Sequence, residues 1–131
     1  MLFSALDASA SGLTAERLRM DVISNNLANV NTTVTPGGGP FRRQMVEFAA
    51  LPQGAGSPGG VAVTAIVGDP APFPLRYAPG SPGANAQGYV RMPNVNVTSS
   101  MVDLLAASRA YDASAAVFSD AVKVGLKTLQ M

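Results

Sequence analysis

All ten prolines of the chain lie between Pro36 and Pro93, and eleven of its thirteen glycines lie between Gly37 and Gly88. Proline removes a backbone donor and glycine raises the entropic cost of a helix, so this stretch resists helix formation while both flanks are free to adopt it. Three segments follow: a helical N-terminal segment at 1–33, a strand- and loop-rich middle at 34–93, and a helical C-terminal segment at 94–131. With 131 residues in all, there is material for one modest core.

From Ser4 to about Val30 there is no proline, and Leu6, Leu13, Met20 and Leu27 recur at every seventh position. Leu2, Ile23 and Val30 partly fill the companion line, which predicts an amphipathic helix with a coiled-coil stripe. Ser4 and Asp7 have the spacing of a helix-start cap. Ser9 and Glu16 interrupt the companion line, so the helix is expected to pack in a larger bundle rather than a simple two-stranded coil.

The C-terminal pattern is more regular. Val97, Met101, Leu104, Ser108, Tyr111, Ala115, Phe118, Val122, Gly125 and Leu129 alternate spacings of four and three without a slip. Ser100 and Asp103 mark a start near Ser100, and Lys123 and Lys127 suit the negative end of the helix dipole. Each helix should be a rod of roughly 40–45 Å. The predicted fold is mainly α with a small irregular β segment, its N- and C-terminal helices packed as an antiparallel coiled-coil pair. Outside its seam the C-terminal helix still carries Val102, Leu105, Val124 and Leu126, more apolar surface than a lone helical hairpin can hide, so further partners are expected.

Within the middle, 41–48 and 61–67 are rich in β-formers and separated by a Gly/Pro/Ser-rich loop, and 75–77 and 89–92 are further strand candidates. Pro70, Pro72, Pro74, Pro79 and Pro82 keep 69–83 extended without continuous ladder pairing. Exposed strand edges there suit docking onto neighbours.

Composition excludes several kinds of chemistry. Without His or Cys, the chain lacks the usual zinc ligands, a thiolate nucleophile and the side chain best suited to proton transfer near neutral pH. Its eight carboxylates are dispersed, which argues against paired acid–base work and against a hard-metal cage. Nine scattered Lys and Arg residues and a net charge of +1 give no footprint for nucleic acid. No apolar run of about 18 residues exists to span a membrane. The N-terminus lacks the basic and apolar order of a cleavable signal peptide. Gly54, Gly56 and Gly59 match a dinucleotide-binding pattern, but they precede a strand-like run and include Pro58, so they read as a loop. The glycosylation-like triplets at Asn31 and Asn96 read as a turn and the start of a helix. No catalytic, cofactor-binding or metal-binding residue is expected, nor a small-molecule substrate, and the chain is not expected to be an enzyme.

Ser24 to Thr32 holds four asparagines on a leucine-bearing helix. Asparagine tolerates turn conformations, but ending a helix needs only one or two. Asn25, Asn26, Leu27, Ala28, Asn29, Asn31 and Thr32 together resemble a signature of the flagellar rod and hook protein family. Pro40 to Gln44, Gly60 to Val63, Asp69-Pro70, the run with Met92, Pro93, Asn94 and Asn96, and Ala107 to Tyr111 are similar, in order and spacing, to its proximal-rod members. The resemblance covers essentially the whole chain. It implies a structural subunit of the basal-body rod that polymerises with copies of itself and with other rod proteins to transmit torque in flagellum-dependent motility. It further implies a periplasmic location and passage through the flagellar type III export apparatus without a cleavable signal. From the residues alone, a soluble, non-polymerising helical-hairpin scaffold or adaptor that binds partner helices stays open.

Overall fold

The computed structural model describes residues 2–54 and 57–130, so Ala55 and Gly56 of the glycine-rich pattern lie outside the described residues. Helix α1 spans Leu2–Ala28 and helix α2 spans Val97–Leu129. Their 27 and 33 residues correspond to about 40 and 50 Å. Between them lie β1 (Gln44–Ala50), β2 (Gln53–Gly54), β3 (Ser57–Pro58), β4 (Val61–Gly68), β5 (Leu75–Tyr77) and β6 (Tyr89–Arg91). Two terminal helices around a small strand region agree with the expected fold class.

Both helix starts differ from expectation. Asn96 is extended (φ −95°, ψ 119°) and its Oδ1 accepts a hydrogen bond from Ser99 N at 2.9 Å, capping α2 before the predicted start at Ser100. Asparagine ranks with the strongest N-caps. Ser100 is instead buried. Helix α1 is already formed at Leu2, which puts Ser4 inside it, and it gives way after Ala28 to a tight turn in which Val30 N bonds Leu27 O at 3.3 Å.

The helices run antiparallel. Phe3 and Leu6 share a groove with Val122 and Gly125, while Asn26 shares a recess at the opposite end with Ser100 and Asp103. They approach closely: a Cβ added to Gly12 would stand 3.1 Å from Ser114 Oγ. The inward line of α2 runs through Ser100, Leu104, Ala107, Tyr111, Ser114 and Phe118, again in steps of four and three. Leu104, Tyr111 and Phe118 belong to the expected seam; between them Ser100, Ala107 and Ser114 face inward, beside the half-buried seam residues Ser108 and Ala115, while Met101 is exposed. Small side chains let two backbones come together, and Ala107 is 0% exposed. Val97, Met101, Val122 and Leu129 are consequently left on the surface of the pair, Met101 at 58% and Leu129 at 85% exposure.

Strands β1 and β4 form an antiparallel hairpin with Gln44 opposite Gly68 and Ala50 opposite Val61. Thr64 is the extra residue of a bulge, since Glu47 faces Ala65 and Phe48 faces Val63. The expected loop between these strands is partly a ladder, with β2 paired to β3 and Leu51 N bonded to Gly60 O at 2.8 Å. Strands β5 and β6 make a separate two-stranded ribbon.

The β1–β4 hairpin is hooked to α1 at both ends. Asn26, 2% exposed, donates from Nδ2 to Gln44 O at 2.9 Å and accepts at Oδ1 from Gln44 N at 3.0 Å. Ser11 Oγ accepts from Val61 N at 3.0 Å and donates to Ala8 O at 2.7 Å. Along α1, Ser11 and Asn26 are about 22 Å apart; along the ladder, Gln44 and the Ala50–Val61 pair are about 20 Å apart. The helix and hairpin spacings therefore match. Gly60 permits the second hook: at φ 105°, a Cβ there would overlap Ser11 Oγ and stand 3.2 Å from Ala8 Cα.

Asn26→Ala removes the partners of the Gln44 N–H and C=O, two part-buried bonds each contributing about 0.5–1.5 kcal/mol. We expect amide exchange at Gln44 to accelerate and the hairpin to loosen from α1 before the helix pair separates. Unchanged exchange at Gln44 in the variant would show that Asn26 is not the anchor.

Candidate assembly site

A third asparagine joins the foot of the hairpin to α2. Asn94 Oδ1 accepts from Arg43 N at 2.6 Å, and its Nδ2 donates to Asp69 O and Ala71 O, both at 3.1 Å. Asp69 N bonds Arg43 O at 2.8 Å, closing the foot of the hairpin. Arg43 Nη1 lies 2.9 Å from Asp69 Oδ2, and its Nη2 lies 3.9 Å from Asp103 Oδ2 on α2. The Ala71 N–H donated to Asp69, and then the Arg43 guanidinium, hold the Asp69 carboxyl below the usual carboxylate range.

The other motif residues shape the chain around these joints. Asn29 Nδ2 donates to Asn25 O at 2.8 Å and to Asn25 Oδ1 at 3.2 Å, and Asn29 Oδ1 accepts from Thr32 Oγ1 at 3.1 Å. Thr32 O accepts from Phe41 N at 2.9 Å, turning the chain towards β1. Leu27 is half-buried, and Ala28 and Asn31 are exposed. Met92 N bonds Pro74 O at 2.8 Å, Pro93 is buried, and Asn96 caps α2. The two motif regions, far apart in sequence, therefore converge on the base of the hairpin.

On its outer side the helix pair presents an open apolar groove. Phe3 and Leu6 form one wall at its end, and Val122, Leu126 and Leu129 form the other. Leu13, Met20 and Leu27, all half-buried, continue the Leu6 wall one heptad at a time. Met101 and Leu105, both 58% exposed, continue the α2 wall. On the other flank of the inward line, helical spacing places Val102, Val117 and Val124, all exposed. Arg109, Asp112, Asp120, Lys123 and Lys127 are exposed on the same outward side of α2 and interrupt its apolar flanks.

A family model described as flagella basal body rod protein matches residues 6–34, and one described as flagellar basal body rod FlgEFG protein C-terminal matches residues 86–131. The flagellar basal-body rod protein FlgC of Borreliella burgdorferi is 44% identical over 90% of this chain and 89% of its own length. The chain belongs to the FlgC family of flagellar basal-body rod proteins. FlgC of Yersinia enterocolitica is 42% identical over 99% of this chain and 97% of its own, and FlgC of Bacillus subtilis is 39% identical over 98% and 97%. Membership makes the chain a structural subunit of the flagellar basal-body rod and not an enzyme. The two family-model matches contain both helices almost entirely, along with Asn26, Asn94 and Asn96. Among the described residues, no helix is long and apolar enough to cross a membrane.

Because the folded Asp69 carboxyl is acidified, its contribution to stability is present above the unfolded value of about 3.9 and is lost as pH falls through the lower folded value. In acid, the protection of the Arg43 and Ala71 amides, relative to their intrinsic exchange rates at the same pH, should therefore fall. Asp69→Ala should abolish that acid dependence and speed their exchange at neutral pH. An Asp69 carboxyl resonance titrating at or above the ordinary value would refute the assignment.

Proposed function

We propose that the three segments divide the work of a rod subunit. Residues 1–33 and 94–131 build the load-bearing wall through helix packing, and residues 34–93 contact neighbouring subunits. Torque would pass through these packed surfaces without any reaction. The observation that carries this reading is the outer groove of the helix pair, whose large apolar side chains remain exposed: Met101, Leu105 and Leu126 on one flank alone. An isolated soluble pair has no use for such a surface, whereas a third helix laid in the groove would bury it.

The expected seam residues take their place in this scheme as two cooperating sets. Leu104, Tyr111 and Phe118 hold α2 to α1 within the chain. Leu6, Leu13, Met20 and Leu27, with Val97, Met101, Val122 and Leu129, receive helices from other copies of this chain and from other rod proteins. Heptad spacing on both flanks supports a coiled-coil geometry in the assembled rod. The subunit reaches its periplasmic place in the basal body through the flagellar type III export apparatus, a route supported by its membership of the rod-protein family. With long helices whose apolar flanks lack partners, the isolated chain is expected to be partly helical and to gain helix on association.

Leu104→Asp or Phe118→Asp should stop rod assembly and swimming by placing an unpaired charge between the helices. Met101→Asp separates folding from docking: the exposed carboxylate should leave the circular dichroism of the free subunit unchanged while blocking its incorporation into isolated basal bodies. Normal incorporation of the Met101 variant would remove the groove from the interface.

A further inference from the structure

The β5–β6 ribbon turns a second, chemically different surface outward. Leu75 faces Arg91 and Tyr77 faces Tyr89 across the ladder, so strand alternation puts these four side chains on one face, opposite Arg76 and Val90. Val90 is buried, whereas Leu75, Tyr77, Tyr89 and Arg91 are all exposed, Tyr77 at 65%. The tyrosine rings meet edge to face with centroids 5.3 Å apart. Just before β5, Phe73 carries the Arg42 guanidinium at 4.2 Å and the Arg91 guanidinium at 5.0 Å from its ring centroid.

This face is held in one shape before any partner arrives. Gly88, at φ 86°, lies so close beneath Tyr77 that a Cβ would stand 3.0 Å from the ring. Asn85 Oδ1 accepts from Gln87 N at 3.0 Å and from Tyr89 N at 2.9 Å, fixing the turn into β6. Arg42 Nη1 donates to Asp69 O and Ala71 O, bracing the strand that carries Phe73. Preorganised tyrosine and arginine are the side chains that carry most of the energy at protein interfaces.

The charge is unbalanced. The only carboxylates in 34–93 are Glu47, on the other hairpin, and Asp69, which Arg43 already occupies. Among the described residues, Arg42, Arg76 and Arg91 have no ion pair. Two copies meeting through the same face would set arginine against arginine, so the complement must come from a different surface. We propose that the Leu75–Tyr77–Tyr89–Arg91 face, with Phe73 and Arg42 at its edge, docks a carboxylate-bearing, partly apolar segment of another protein in the assembled rod. This inference rests on the chain being a rod subunit, but it does not depend on the helix groove.

The test uses photo-crosslinking in swimming cells, with p-benzoylphenylalanine at Tyr77 and, in a parallel strain, at Met101 as a reporter of helix docking. After illumination and basal-body isolation, the Tyr77 probe should join this chain to a different protein. Adding Arg91→Glu or, separately, Leu75→Asp should cut that adduct at least about tenfold, while the Met101 adduct persists. Both side chains are exposed, so neither substitution removes a buried contact. Absence of a Tyr77 adduct, an adduct only between two copies of this chain or to nucleic acid, or a yield indifferent to both substitutions overturns the proposal while the Met101 adduct keeps the rod reading intact. Loss of both adducts from otherwise unaltered subunits would overturn the helix-groove reading and this proposal together.

Discussion

Asn26 does for Gln44 what a neighbouring strand would otherwise do, offering one donor and one acceptor to a single residue's N–H and C=O. That pair of bonds fixes the start of the β1–β4 hairpin. It sets where β1 begins against α1, which sets where β4 must run, which in turn brings Val61 to Ser11. A carboxylate at position 26 would lose the donor half of the exchange, and a longer amide would overshoot in so enclosed a place. The amide does this without burying a charge, avoiding the desolvation cost that a buried ion must recover.

The architecture was largely legible from where proline is absent. Two proline-free flanks and a proline-laden centre predicted two helices around short strands, and the β-rich runs at 41–48 and 61–67 correspond closely to β1 and β4. The rotation of α2 was harder to read. A seven-residue repeat admits more than one line along the same helix, and pattern reading favours the line with the largest side chains. Close packing against Gly12 favoured the line through Ser100, Ala107 and Ser114, whose small residues look unremarkable in a sequence. The Ser4 and Ser100 spacings do not mark the helix starts because Ser and Asp three residues apart also occur by chance, whereas the Asn96 triplet, which reads as a helix start, supplies the capping oxygen of α2. The partners of Asn94 could not be read locally at all, because Arg43 and Asp69 reach it from distant parts of the chain.

The composition of the internal contact has a physical meaning. By setting Ser100, Ala107 and Ser114 between Leu104, Tyr111 and Phe118, α2 approaches α1 closely and leaves Val102, Leu105, Val117, Val124 and Leu126 on the outside. The flanks are not copies of each other: Val122, Leu126 and Leu129 share a groove with Phe3 and Leu6 of α1, whereas Val102, Val117 and Val124 lie outside it. Unlike surfaces that meet in succession give contacts that propagate, which is the geometry of a helical assembly rather than a closed dimer.

The three buried or half-buried joints made by Asn26, Ser11 and Asn94 are all neutral. Dissolved ions screen charges and leave amide and hydroxyl bonds nearly untouched. Ionic strength can therefore reach the Arg43 contacts to Asp69 and Asp103, but not the hooks that carry the hairpin. Within the subunit, a response to salinity is thus confined to the Arg43 ion pairs at the foot of the hairpin, while the bonds of Asn26, Ser11 and Asn94 hold the hairpin in place.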